Sequence, residues 1–320
     1  MSQHPRVVIL SGGLSHERDV SLRSGRRVAE ALRSAQAEVT VHDVDADLLP
    51  LLDEVRPDVV WPVLHGASGE DGSVRDVLDL LSVPYVGTGP RSSRVAWNKP
   101  VAKSVVARAG IATPDYVTLP QSLFRDLCAR AVLDAIVTNL GLPLVVKPAS
   151  GGSALGVTYV SARGDLAQAM VACFAYGDVA LIEKAVAGTE IAVSVIETAD
   201  GPEALPAVEI VTDGAYDYDA RYNPGRTEYF APARLDARDA ALVARTAVAA
   251  HEALGLRHIS RTDLILDTDG TPQFLEVNVA PGMTETSLLP LAALAGGRSL
   301  PSLYLSIVDT ARVSSAPVLH

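Results

Sequence analysis

Along the first hundred residues, short β-branched runs alternate with longer amphipathic stretches. Val7-Val8-Ile9-Leu10 reads as a strand, a helix follows from about Asp19, and Glu38 to Val44 and Asp58 to Leu64 read as two more strands. Strands separated by crossover helices predict a parallel sheet. Ligands bind such sheets beyond the C-terminal strand ends, which here carry two Gly-rich loops: Ser11-Gly12-Gly13, and His65 to Gly72.

The pattern changes after Gly87 to Gly89, where turn residues gather. A helical stretch from about Arg91 to Ala109 leads into Thr113-Pro114. Next come a helix over Leu123 to Asn139 with Ser122 as its N-cap, a strand Pro143 to Lys147, a glycine loop Ser150 to Ser153, and a strand Gly156 to Val160. A helix from Asp165 to Ala175 and a strand from Val179 to Lys184 complete a small α+β unit. Strands near Glu190 to Ile196 and Leu205 to Val211 open the remainder. The polar, aromatic stretch Asp213 to Ala231 lacks apolar periodicity over a length that predicts a functional lid loop. A helix over Ala237 to Leu254 precedes the chemically richest segment, Arg261 to Pro290. The pattern therefore divides the chain into 1–97, 98–187 and 188–320.

Composition narrows the partners. A length of 320 residues suits two or three domains, each large enough to bury a core. A net charge of -11 argues against nucleic acid, which requires clustered Lys and Arg, and favours small-molecule substrates. The two cysteines, Cys128 and Cys173, form no CxxC and are expected in packing roles. No apolar run approaches 18 residues, so no membrane role is expected, and the expected location is the cytoplasm.

Between Arg261 and Asn278 two strand-like runs flank Asp269-Gly270, a signal for a two-residue hairpin turn. That turn sets Asp263 opposite Glu276 and Arg261 opposite Asn278, all on one face. Such a face is either a solvated polar surface or an oxygen-rich Mg²⁺ site with a cation beside it. Val277 and the following Pro-Gly segment look buried, which favours the second. Gly282 would let a backbone N–H approach a ligand just before a helix that opens at Ser287-Leu288. Lys147 ends an apolar strand beside the Ser150 to Ser153 loop, a layout suited to phosphate. Neither GxxxxGK[ST] nor GxGxxG occurs, so a nucleotide needs another cradle. By residue type, Lys99 is equally a surface lysine, and His65 at a strand end is equally structural.

The motifs Gly12-Gly13-x-Ser15-x-Glu17, His65-Gly66 with Gly69-Glu70-Asp71-Gly72, Pro84-Tyr85-x-Gly87, Lys99, Val146-Lys147-Pro148, Tyr216-Asp217-Tyr218 with Tyr222, Pro232-Ala233, and Glu276-x-Asn278-x-x-Pro281-Gly282-Met283-Thr284-x-x-Ser287-Leu288 run nearly end to end. Together they resemble D-alanine:D-alanine ligases of the ATP-grasp superfamily. The resemblance implies an N-terminal doubly wound α/β domain followed by a two-part ATP-grasp fold, a homodimer, and cell-wall precursor synthesis. It implies ATP contacts from Lys99, Lys147, Glu183, Lys184, Val186, Glu190 and Arg221, and two Mg²⁺ or Mn²⁺ held by Asp263, Glu276 and Asn278. Glu17 would take the first D-alanine's ammonium, linked to Ser153 and Tyr222 across the closed site. Arg261 and Gly282 would form the oxyanion hole, Ser287 and Leu288 would hold the second carboxylate, and His65 would touch substrate.

Some positions depart from the family pattern: Arg75-Asp76 in place of Gln-Gly, Trp97-Asn98 in place of Met-Asp, Ala154 in place of a second serine, and Arg221 in place of lysine. They keep open a paralogue with another acceptor, such as D-lactate or D-serine. A catalytically silent nucleotide-binding protein would have lost a metal ligand, and none of the three is lost.

Overall fold

The computed structural model describes residues 4–212 and 227–314. Its N-terminal unit runs through β1 (Arg6–Leu10), α1 (Arg18–Ser34), β2 (Glu38–His42), α2 (Leu48–Val55), β3 (Val59–Pro62), α3 (Ala67–Glu70) and α4 (Ser73–Leu80). The strands form a parallel sheet in the order β2-β1-β3. Helix α1 packs because Val20, Ser24, Val28 and Leu32, with Ser21, Gly25 and Ala29, recur every three or four residues on its buried face. Gly25 permits this approach, since a Cβ there would lie 2.4 Å from the Cβ of Ser11.

The helix expected over Arg91 to Ala109 is two helices, α5 (Pro90–Trp97) and α6 (Lys99–Arg108). Pro100 has no N–H to bond back to the preceding turn, and Asn98 is extended, its side chain capping α6 at Val101 N. The central unit contains β4 (Tyr116–Pro120), α7 (Gln121–Asp126), α8 (Ala129–Leu140), β5 (Leu144–Pro148), β6 (Thr158–Val160), α9 (Leu166–Phe174) and β7 (Val179–Lys184). Its antiparallel sheet has the order β4-β7-β5-β6. The helix expected over Leu123 to Asn139 is also divided, because Leu127 and Cys128 are extended, and Ser122 lies inside α7 with Pro120 at its N-cap. Cys173 packs in the core as expected of it, whereas Cys128 is exposed.

The C-terminal unit contains β8 (Gly188–Thr198), β9 (Gly201–Ala204), β10 (Val208–Thr212), β11 (Thr227–Phe230), α10 (Ala237–Ala253), β12 (Ile259–Asp267), β13 (Pro272–Asn278), α11 (Leu288–Ala295) and α12 (Leu300–Ser314). Its antiparallel sheet runs β11-β10-β8-β12-β13, with β9 paired to β8. Strand β11 occupies the end of the segment expected as a lid loop. Its Thr227 and Glu228 conceal the strand pattern, but it pairs with β10 from Thr212↔Thr227 to Glu209↔Phe230. Most of that segment, with Tyr216, Asp217, Tyr218, Arg221 and Tyr222, lies outside the described residues.

Alternation along β8 assigns the two faces of this sheet. Ile191, Val193 and Val195 enter a core with Ala102 and Val106 of α6 and Val243, Ala247 and Ala250 of α10. Ala192 and Ile196 enter another core shared with β1, α1, α11 and α12. The N-terminal and C-terminal units thus share one apolar interior. Glu190 lies on the same side as Ala192 and Ile196, at the strand end where the cleft opens. Among the described residues no single helix is long and apolar enough to cross a membrane.

Candidate active site

The register across β12 and β13 is Arg261↔Asn278, Thr262↔Val277 and Asp263↔Glu276, as expected, but it arises differently. The connection is not a two-residue turn: Asp267 N donates to Thr271 O and Gly270 N to Asp267 O, which closes a three-residue loop with Gly270 at φ 77°. That geometry alone would leave Asp263 one position out of register. A bulge between Asp263/Glu276 and Leu264/Phe274 inserts Leu275 and restores the pairing. As a result Leu275 and Glu276, consecutive in sequence, both line the cleft, while Phe274 and Val277 enter the core.

This cleft lies between the two antiparallel sheets and has a volume of about 330 Å³. The central sheet contributes Val145, Lys147 and Glu183; the C-terminal sheet contributes Glu190, Asp263, Ile265, Leu275 and Glu276; Lys184 and Val186 lie at its rim. Lys99 is buried and not a surface residue. Its backbone N donates to Ala149 O, and its Nζ reaches Gly151 O at 2.6 Å and Glu276 Oε2 at 3.3 Å. Lys147 Nζ lies 2.5 Å from Glu183 Oε1. Lys184 is half-exposed, with its Nζ 2.8 Å from Asp115 Oδ2. Asp263 receives a two-pronged bond from Arg261, Nε to Oδ1 at 2.7 Å and Nη2 to Oδ2 at 2.8 Å.

A second cavity, of about 70 Å³, is lined by Glu17, His65, Glu70, Ser153, Tyr229, Arg261, Asn278, Gly282, Thr284, Thr286, Ser287 and Leu288. Ser153 Oγ donates to Glu17 Oε1, joining the central unit to the N-terminal loop. Ser153 and Ala154 both have positive φ, at 51° and 54°, a backbone state that non-glycine residues enter at a cost and that sets the hydroxyl toward Glu17. The ring of His65 is buried, which lowers its pKa to about 4 and keeps it neutral. Because Ala280 O can only accept, His65 Nδ1–H donates to it, and Nε2 accepts from Ser24, whose Oγ in turn accepts from Met283 N. This chain ties the His65 loop to the Pro281-Gly282 segment. Ser287 is the N-cap residue of α11 and accepts from Thr284 N at 2.9 Å. A Cβ on Gly282 would meet Ser287 Oγ at 2.7 Å.

A smaller space shares its lining with both cavities: Lys99, Gly151, Gly152 and Glu276 with the first, and Glu70, Gly152, Ser153, Arg261 and Asn278 with the second. Every sequence-derived site residue among the described residues lines one cavity or the other. Two further residues had been given no role. Glu70 takes a bond from Gly66 N at 2.9 Å, and burial, then the nearby Glu17, raise its pKa to about 8. Its place in the Gly69 to Gly72 motif was the available signal. Lys103, one helical turn after Lys99, is fully buried against Glu183. The departures lie around this framework. Arg75 is buried and donates to Gly69 O, Asp76 pairs with Arg94 on the surface, Asn98 caps α6, and Ala154 lines the cleft.

A nucleotide-sized cleft between two antiparallel sheets, walled by lysines and closed at one end by opposed carboxylates, defines an ATP-grasp ligase. A family model described as the D-ala D-ala ligase C-terminus matches residues 105–309. The D-alanine--D-alanine ligase of Anaeromyxobacter dehalogenans is 40% identical over 97% of this chain and 98% of its own length. The chain therefore belongs to the D-alanine–D-alanine ligase family. Among solved structures, the Bacillus anthracis D-alanine--D-alanine ligase complexed with ATP superposes with a TM-score of 0.81 at 29% identity, over 98% of this chain and 100% of that one. The VanG D-Ala:D-Ser ligase of Enterococcus faecalis gives 0.82 at 26% identity, over 97% and 100%.

Proposed function

We propose that this enzyme uses ATP to join two molecules of D-alanine, through D-alanyl phosphate, releasing ADP and phosphate. The observation that carries this reading is the space lined by Lys99, Gly152, Arg261, Glu276 and Asn278, which shares residues with both cavities, as transfer of a phosphoryl group from a nucleotide to an amino acid requires. Glu183 receives the adenine amino group, Glu190 the ribose, and Lys99 and Lys147 the phosphates. Lys184, Val186 and Arg221 complete the nucleotide site. The carboxylate of the first D-alanine, its ammonium on Glu17, attacks the γ-phosphate. The amine of the second D-alanine, its carboxylate on Ser287 and Leu288, then attacks the acyl carbon, with Arg261 and the Gly282 N–H at the developing oxyanion.

Asp263, Glu276 and Asn278 offer two carboxylates and an amide oxygen across one hairpin, a hard-oxygen set that suits Mg²⁺ or Mn²⁺. Two such ions would supply positive charge against the polyphosphate. Tyr222 would extend the Glu17–Ser153 link to the Asp213 to Ala231 loop, which as a lid would exclude water from the acyl phosphate. We further place the domain divisions at 97 and 187 and assign a cytoplasmic homodimer serving peptidoglycan precursor synthesis.

A second reading, the same chemistry with D-serine or D-lactate as acceptor, is favoured by the departures and by the equally good superposition on a D-Ala:D-Ser ligase. Purified enzyme given ATP, Mg²⁺ and D-alanine should release phosphate in step with dipeptide. Phosphate release only when D-serine or D-lactate is added would overturn the assignment.

A further inference from the structure

Lys103, on α6, is fully buried and is not among the residues that line the cleft. Its Nζ donates hydrogen bonds to Thr113 Oγ1 at 2.7 Å and Phe274 O at 3.0 Å and forms an ion pair with Glu183 Oε2 at 2.9 Å. Two hydrogen bonds and an opposite charge are the condition under which such deep burial of an ammonium is tolerated. Burial nonetheless lowers its pKa to about 8, with Glu183 opposing that effect. Glu183 is likewise buried, and its other oxygen holds Lys147. Lys147 and Glu183 line the cleft, and Lys103 stands behind them.

The two lysines are therefore not equivalent. If Lys147 turns toward a phosphate, its hold on Glu183 weakens, whereas Lys103 cannot reach the cleft and keeps its grip. Glu183 then stays ionised and anchored through Oε2, with Oε1 presented to the base. An ionised carboxylate can only accept, so it welcomes an exocyclic amino group and disfavours a carbonyl at the same place. The anchor also reaches the opposite wall: Thr113 Oγ1 donates to Phe274 O at 2.8 Å and Phe274 N to Ala112 O at 2.8 Å, next to the bulged Leu275 that lines the cleft.

We infer that Lys103 is a positioning residue for base selection, holding Glu183 so that the cleft takes a 6-amino purine nucleotide in preference to a 6-oxo one. This rests on the reading of the cleft as the ATP site. The test is calorimetric titration of the full chain with ATP and with inosine triphosphate, in wild type, Lys103→Met, Lys103→Gln, Lys103→Arg and Glu183→Gln. The wild type should prefer ATP. Loss of the charge in Lys103→Met should weaken ATP about tenfold or more and narrow the ATP-to-inosine-triphosphate ratio, while Lys103→Arg preserves the ratio. If Lys103→Met does not fold, Lys103→Gln gives the same reading. In the Glu183→Gln background, Lys103→Met should not change the ratio further. An unchanged ratio in a folded Met or Gln variant, or equal added loss in the Glu183→Gln background, overturns this inference alone. Failure of the wild type to bind ATP overturns both it and the function beneath it.

Discussion

The cleft proposed for the nucleotide and the pocket proposed for the amino acids share a wall but are built in opposite ways. The cleft is larger, and its walls are strands whose alternating residues face one another: Val145 and Lys147 on β5, Asp263 and Ile265 on β12. The pocket is smaller and more polar, and converges from loops of all three units: Glu17 and His65, Ser153, then Gly282 to Leu288. Strand geometry fixes each wall of the first, which needs only the central and C-terminal units. The second exists only when all three units are docked, through Ser153 on Glu17 and His65 on Ala280. The contrast implies that substitutions in the cleft change nucleotide binding with the pocket intact, and that those in the pocket also report on docking.

The largest effect should come from the shared wall. Glu276→Gln is expected to lower kcat by on the order of 100- to 1000-fold with an unchanged melting temperature. Near-normal turnover would dissolve the metal assignment. Acid should strike the pocket first. His65 is neutral in the fold, with a pKa of about 4 against 6.5 when free, so the unfolded chain binds the proton more readily between those values. The stabilisation is complete above about pH 6.5 and is lost progressively as the pH falls to about 4, up to about 3 kcal/mol. Urea melts of wild type and His65→Gln between pH 7 and 4 should therefore differ in slope, and parallel curves would refute this origin.

Two substitutions should act as mirror images. Lys147→Ala should weaken ATP on the order of tenfold to 100-fold and leave D-alanine nearly untouched. Gly282→Ala puts a Cβ 2.7 Å from Ser287 Oγ and should raise the KM for D-alanine by a similar factor with ATP binding preserved. Separate titrations that show equal losses of both ligands would erase the distinction between the two regions. The smallest effect belongs to the lid. Tyr222→Phe should raise the share of depsipeptide up to about tenfold when D-alanine and D-lactate compete across pH 6 to 9, and an unchanged product ratio would remove the role given to its hydroxyl.

The same contrast explains what the sequence could reveal. Period-two alternation exposes strands, so the β12–β13 face and Lys147 were legible, as was the parallel N-terminal sheet, whereas Glu183 lay on a legible strand but took its role from the resemblance alone. The connection between β12 and β13 was misread as a two-residue turn, and the bulge at Leu275 cancelled the error; a single inserted residue leaves no mark on a short apolar run. Asn98 before Lys99-Pro100 could have marked a break between helices, but its apolar flanks read as one. Docking is a different matter. Glu70 and Lys103 acquire much of their surroundings from distant residues, Glu17 for the first and Glu183 and Phe274 for the second, so single-sequence periodicity holds no trace of either, and only motif resemblance gave Glu17, Ser153 and Ser287 their roles.

The most direct test of the central claim follows the oxygen atoms. D-Alanine labelled with ¹⁸O in its carboxylate, incubated with the enzyme, ATP and Mg²⁺, should give D-alanyl-D-alanine and phosphate in equal amounts, with one ¹⁸O carried into each phosphate by the acyl phosphate. Unlabelled phosphate, or label transfer without the dipeptide, would contradict the account.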